Sequence, residues 1–164
     1  MIQVRNEKLR QPDAYAQAVI DKCGYFVMAV TGADGSPYCV PLSMAREGEW
    51  LYFHSAKEGH KIDNLRINSR VCVTCVGNYR VQPGRFNIEY ESAVVFGTAC
   101  EVLTAEEKIR ALKLISWRYT PEHMEAFDAS IDKSLRRTAV WKIHIDEISG
   151  KGVSEFAGQE QTCR

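Results

Sequence analysis

Apolar residues recur along this chain with two periods, one near two and one near 3.6, and the switches between them mark out its elements. Pro12-Asp13 opens a short helical pattern in which Tyr15, Ala18 and Val19 share a face, and Gly24 supplies its stop. Residues 24–31 then read GYFVMAVT, an almost wholly apolar β-rich run. Residues 36–45 read SPYCVPLSMA, and the turn Ala33-Asp34-Gly35 between the two runs predicts a tight hairpin. Pro41 confines the second run to an edge or to an interrupted ladder. A third strand over residues 49–55 sets Trp50, Tyr52 and His54 on one face and Leu51, Phe53 and Ser55 on the other.

The next segment, AKEGHKIDNLRIN, predicts a short helix with Ile62 and Leu65 at helical spacing, followed by a strand over residues 70–77. Beyond a loop holding Gln82-Pro83-Gly84-Arg85, a long strand spans residues 88–103 and bends at Gly97. Thr104-Ala105-Glu106-Glu107 is a capping box, and Ile109, Leu112 and Ile115 line one face of the helix behind it. Thr120-Pro121-Glu122 starts another helix, with Met124, Phe127 and Ile131 as its buried stripe, and residues 138–146 form the last strand. Six strands, mostly consecutive, with helices after the third and before the last, predict a mainly β fold. Its expected form is a small closed barrel with helical decoration, not a doubly wound nucleotide fold. Residues 1–150 read as one domain and residues 151–164 as a polar, loosely held tail.

Composition narrows the function more than the fold. The chain has 164 residues, 45% hydrophobic and 26% charged, with 21 basic and 21 acidic side chains. No net field exists to draw in nucleic acid or an anionic membrane. The longest uncharged stretches, residues 23–33 and 35–45, are too short to span a bilayer, which takes roughly 20 apolar residues. The first residues lack the basic-then-apolar order of a secretory signal, so a cytoplasmic location and free thiols for the six cysteines are expected. Cys72-Val73-Thr74-Cys75 lies in a β-branched run, where residues three apart point to opposite faces, so no metal or redox pair is expected there. Glu89 and Glu91 share a face and read as a solvated stripe. Trp141, with Ala139, Ile143 and Ile145, reads as core or as an interface between subunits. No nucleophile elbow, Gly-x-Gly-x-x-Gly turn or His-Glu-x-x-His helix is present.

One turn carries chemistry. His54 ends its strand and enters Ser55-Ala56-Lys57-Glu58-Gly59-His60-Lys61. The free N–H groups of a helix start favour an anion such as phosphate, Ser55 offers a hydroxyl, and His60 and Lys61 add charge in the first turn. The same residues also fit an ordinary solvated helix start with Ser55 as its cap. The interrupted ladder at Pro41 leaves backbone groups that could receive a flat polar ring, or else blocks edge-to-edge aggregation.

In their order, GYFVMAV, GSPYCVPL from Gly35, LYFHSAKEGHK from Leu51, EYESAVVFGTA from Glu89 and ISGK from Ile148 resemble the pyridoxamine 5′-phosphate oxidase-like FMN-binding split barrels. The likeness is to the subgroup of Nim-type 5-nitroimidazole resistance reductases and covers residues 1–151. It implies a six-stranded split β-barrel, an obligate homodimer, and FMN lying between the subunits. It also implies that Val40, Pro41, Leu42 and Ser43 run beside the isoalloxazine ring, and that Ser55, His60 and Lys61 hold the phosphate. His54 matches a histidine near the flavin and would contact the substrate or donate a proton. The implied activity is FMN-dependent reduction of a small planar acceptor such as a nitroaromatic. Vitamin B6 oxidation is not expected, because the tail lacks the Trp- and Arg-rich pattern that would hold a substrate phosphate. The alternatives are a non-catalytic flavin carrier or sensor, and a split barrel using deazaflavin or haem, for which His144 or His123 would be the axial ligand.

Overall fold

A computed structural model of the chain describes residues 4–84 and 86–153. Eight strands form one antiparallel sheet. β1 (Arg10–Gln11) is a short flap on β8 (Thr138–Lys151). The remaining strands follow the order β3 (Pro37–Leu42), β2 (Phe26–Thr31), β6 (Arg70–Val81), β7 (Ile88–Glu101), β8, β5 (Trp50–Ala56) and β4 (Met44–Glu47). The two ends of this path, β3 and β4, are separated in sequence by Ser43 alone. A sheet whose outermost strands are joined by one residue has to roll up. No ladder links β3 to β4 among the described residues, so the expected closed barrel is corrected to one split along a seam at Ser43. The expected count of six strands rises to eight because the run over residues 36–45 breaks at Ser43 and because Arg10 and Gln11 pair with Lys151 and Gly150.

The interior of the roll holds the main core. Phe26, Met28, Val73, Val95, Leu51 and Phe53 point inward from their strands. α1 (Asp13–Lys22) plugs the roll with Ala16, Val19 and Ile20, and α2 (His60–Ile67) adds Ile62 and Leu65. Gly150 is needed under α1, since a Cβ there would lie 3.2 Å from the Ala16 methyl and 3.3 Å from its backbone nitrogen. α3 (Ala105–Tyr119) and α4 (Phe127–Ser134) cover the outer face of β4, β5 and β8, burying Leu112, Ile115 and Phe127 against Ala45, Tyr52 and Val140. Both faces of β5 are therefore occupied: Leu51 and Phe53 serve the interior, Trp50 and Tyr52 the helical layer. The alternation expected for this strand holds, as do the bend at Gly97 and the Thr104 cap, which accepts from the Glu107 amide at 3.3 Å.

Several local expectations need correction. α1 stops at Lys22 with extended backbone at Cys23, and Gly24 does not take the left-handed conformation of a glycine stop. Residues 121–126 form a 3₁₀ turn before α4, leaving Met124 and Ile131 only partly buried, and Ile109 on α3 is exposed. Strand β8 runs five residues past 146, so Lys151 belongs to the sheet and donates to the Tyr90 hydroxyl at 2.6 Å. The remainder of the expected tail, from residue 154, lies outside the described residues, as does Arg85. Glu91 is not solvated. It is fully buried, paired with Lys22 at 2.7 Å and bonded by the Asn78 amide at 2.7 Å.

Among the described residues, no helix lies over the outer face of β3, β2, β6 and β7. Two cross-strand rows occupy it, Pro41–Val27–Thr74–Val94 and Cys39–Ala29–Cys72–Phe96, and none of the eight side chains is charged.

Candidate functional site

The end of β5, the start of α2 and the edge strand β3 meet at one corner of the roll. Ser55 faces the interior side of β5, and its hydroxyl donates to the Ala56 carbonyl at 2.7 Å. The chain then turns through Gly59, whose φ of +121° favours glycine, and enters α2 with Gly59 as its cap. The cap is thus Gly59 and not Ser55, and among the described residues no side-chain cap hydrogen bond is made. The Gly59 carbonyl takes the Ile62 and Asp63 amides at 2.8 and 3.1 Å, and the Arg66 guanidinium ties the preceding loop by donating to the Lys57 carbonyl at 3.1 Å. The N–H groups at the start of α2 are left facing out, with Lys61 half-buried beside them.

His60 stands edge-on to Tyr38 of β3, with ring centres 4.7 Å apart, and its Nε2 lies 3.4 Å from the amide nitrogen of the buried Asn64. Tyr38 is the residue that joins the helix start to the edge strand, and sequence reasoning missed it. Its signal was present: Tyr38, Val40 and Leu42 share parity on β3 and pack inward against the core. His54 lies on the outer face of β5 with an exposed ring edge. Loss of water to the surrounding protein, and then the nearby Lys61 ammonium, hold its pKa below the ordinary histidine value. At neutral pH His54 therefore presents a neutral ring, able to donate from one nitrogen and accept at the other.

Val40, Pro41, Leu42 and Ser43 do not offer one continuous side-chain surface. Val40 and Leu42 turn inward and are half-buried, while Pro41 and Ser43 are exposed. What Val40, Pro41 and Leu42 share is backbone edge, because among the described residues β3 pairs only with β2. Just beyond Ser43, the Tyr119 hydroxyl accepts from the Met44 amide at 3.1 Å and donates to the Met44 carbonyl at 2.9 Å, pinning the far side of the seam to α3. No local pattern around Tyr119 announced this contact.

Cavities of about 510 and 290 Å³ lie elsewhere, between the N-terminal residues and β7 or β8, and none of the residues expected at the site lines either one. The corner is an open surface in a single protomer. A ligand placed on it would need a second wall to exclude water. Among the described residues no cluster of three or more His, Cys, Asp or Glu is placed to hold a metal, and no helix is long and apolar enough to cross a membrane.

The family model described as pyridoxamine 5′-phosphate oxidase matches residues 12–152. The chain belongs to that family. Among solved structures, this family member is similar to a candidate 5-nitroimidazole antibiotic resistance protein from Bacteroides thetaiotaomicron. That pair shares 26% identity and a TM-score of 0.72, over 92% of this chain and 95% of that one. It also shares its fold with a flavocytochrome from Azotobacter vinelandii, at 20% identity, a TM-score of 0.77 and 99% and 75% coverage. A FAD- and haem-binding protein from Mycobacterium smegmatis gives 21% identity, a TM-score of 0.74 and 96% and 77% coverage. No curated protein sequence matches the chain.

Proposed function

We propose that this protein is a homodimeric FMN-dependent oxidoreductase that reduces a small planar acceptor, of which a nitroaromatic is the best match. The observation that supports this reading is the start of α2, where N–H groups without a side-chain cap lie with Lys61, His54 is near enough to feel the Lys61 charge, and His60 meets Tyr38 of the edge strand β3. Family membership and the likeness to the Bacteroides protein support it. The residues present fit a phosphorylated ring: Lys61 and the first amides of α2 would hold the phosphate, and the β3 edge at Val40, Pro41, Leu42 and Ser43 would hydrogen-bond the polar rim of the ring. His60, steadied by Tyr38 and Asn64, would add a donor at the phosphate, and Ser55 a hydroxyl. A bound flavin would supply the electron transfer. His54, neutral at pH 7, would orient the acceptor by donating a hydrogen bond.

The two uncharged rows at the centre of the outer face of β3, β2, β6 and β7 support the dimer, because a second copy laid against them would remove apolar area from water and give the corner a second wall. A haem or a larger flavin is the second reading, favoured by what the Azotobacter and Mycobacterium proteins are described as binding. One experiment separates these. The purified protein is expected to be yellow, to release FMN on denaturation, and, once its flavin is reduced without oxygen, to be reoxidised by a nitroimidazole. A Soret band or released FAD would favour the second reading. Reoxidation only by oxygen would make the protein a carrier.

A further inference from the structure

The cavity of about 290 Å³ beside the N-terminal residues has a lining of one sign. Its floor is the outer face of β7 and β8, where pairing sets Ser92 opposite Lys151 and Val94 opposite Ser149, with Phe96 next along β7. Residues opposite one another in an antiparallel ladder share a face, so a lysine, two hydroxyls and two apolar side chains lie side by side. Residues 4–6 complete the lining and bring Arg5 to it. The whole chain carries 21 basic and 21 acidic side chains, yet two cations and no acid line this cavity. Among the described residues no carboxylate pairs with Arg5 or Lys151, and neither serine hydroxyl has a hydrogen-bond partner. Lys151 is half-buried and donates to a neutral group, the Tyr90 hydroxyl at 2.6 Å, with its ammonium 5.0 Å from the centre of that ring. Tyr90 fixes where the charge stands and does not cancel it. Two like charges on one cavity repel, and an anion between them turns the repulsion into attraction. The larger cavity, of about 510 Å³, has the opposite lining, with Asp13, Glu49, Asp146 and Glu147 against Arg10 alone.

We propose that the smaller cavity binds a small aromatic carboxylate, its charge held by Arg5, Lys151 and the hydroxyls of Ser92 and Ser149, its ring laid on Val94 and Phe96. The guanidinium fork and the ammonium supply charge-assisted donors, and each serine adds an O–H. Both halves of the ligand answer to the lining. An inorganic anion would leave Val94 and Phe96 facing nothing apolar, and a neutral ring would leave two cations unmatched. The volume lies just under the roughly 300–1,000 Å³ of sites for drug-sized ligands, which suits a single ring. One chain supplies every lining residue, and none of them belongs to the corner, so the inference is independent of which cofactor the corner binds. Val94 and Phe96 also end the two rows that a second copy would cover, and a dimer formed there would set the cavity at the border of the buried face.

The test uses the full chain as purified, labelled with nitrogen-15, and benzoate as the probe. Titration is expected to shift the backbone amide resonances of Ser92, Val94, Ser149 and Lys151. Benzamide, of the same shape but neutral, and inorganic phosphate, charged but without a ring, are each expected to bind about ten-fold more weakly at those resonances. Arg5→Met and Lys151→Met are each expected to weaken benzoate about ten-fold, with the rest of the spectrum unmoved. Should Lys151→Met disturb Tyr90 and the end of β8, Arg5→Met, at an exposed position, decides alone. The proposal is overturned if benzoate shifts none of the four resonances, or only those around His54 and Lys61. It is equally overturned if benzamide or phosphate matches benzoate, or if folded Arg5→Met binds benzoate as the parent does. None of these outcomes depends on flavin being held at the corner.

Discussion

At the scale of single residues, local structure was legible where neighbouring residues decide it and opaque where a distant partner does. Lys61 is expected at a phosphate site because a strand-to-helix turn leaves amides free, and α2 has no side-chain cap hydrogen bond. Lys61→Ala is expected to weaken FMN retention by about 1–3 kcal/mol, roughly 5- to 150-fold in Kd, measured by quenching of flavin fluorescence. Unchanged retention would remove Lys61 from the phosphate site. Glu91 shows the opposite case. Its parity with Ala93 and Val95 already placed it inward, but its partner Lys22 lies at the end of another element, so pairing alternation with Glu89 gave a solvated stripe where a buried ion pair stands. Burial first, and then the Glu91 charge, push the neighbouring Tyr15 pKa up to about 12. Tyr52 is raised to about 12 in the same way, by burial and then by Glu107. A phenol whose folded pKa lies above its unfolded value of 10 stabilises the fold fully below pH 10 and loses that contribution as pH rises toward 12. Titration of tyrosinate absorbance should show Tyr15, Tyr52 and Tyr119, the last also raised by burial, ionising late, together with loss of structure, and the late signal should shrink in the Tyr15→Phe, Tyr52→Phe double variant.

At the scale of elements, most strands and helices followed from periodicity, and the departures have physical reasons. The sequence rhythm runs unbroken through residues 36–45, because Val40 and Leu42 before Ser43 and Met44 after it all serve the same core; nothing local says that the chain there steps from one end of the sheet to the other. β8 outran its expected end at residue 146 because Arg10, Gln11 and β7 supply partners that residues 147–151, with Ile148 as their one large apolar side chain, could not announce. The bend at Gly97 was announced, since a glycine inside a strand marks a bulge or a close approach, and here it marks both. The register shifts between Phe96 and Gly97, and a Cβ at Gly97 would stand 2.3 Å from the His144 carbonyl oxygen and 2.6 Å from Ile143 Cγ2. Backbone cannot swing aside as a flexible side chain does. Gly97→Ala should therefore cost about 1–3 kcal/mol, read as a lower urea midpoint with the slope unchanged. A midpoint equal to that of the parent would mean that β7 and β8 separate there without penalty.

At the scale of the whole molecule, the proposed homodimer would give the site its second wall. A single roll leaves Lys61, His54 and the β3 edge on an open surface, and the outer face of β3, β2, β6 and β7 without a charge among its two central rows. A second copy laid over that face would account for both facts, burying the two rows and walling the corner. Ala29 lies near the middle of that face, between Cys39 and Cys72 in its row, and its side chain turns away from the core residues Phe26, Met28 and Val30 of its own strand. Ala29→Lys should leave the protomer intact, since a lysine on an outward position can reach water in a monomer. In the dimer the same ammonium would be trapped between two uncharged faces, twice over by symmetry, at a cost of several kcal/mol. The expected result is a circular dichroism spectrum like the parent's, a sedimentation coefficient that falls to that of a monomer, and FMN retention lost with the dimer. A variant that stays dimeric would move the interface off this face, and a monomer that keeps its flavin would show that one corner closes without a partner.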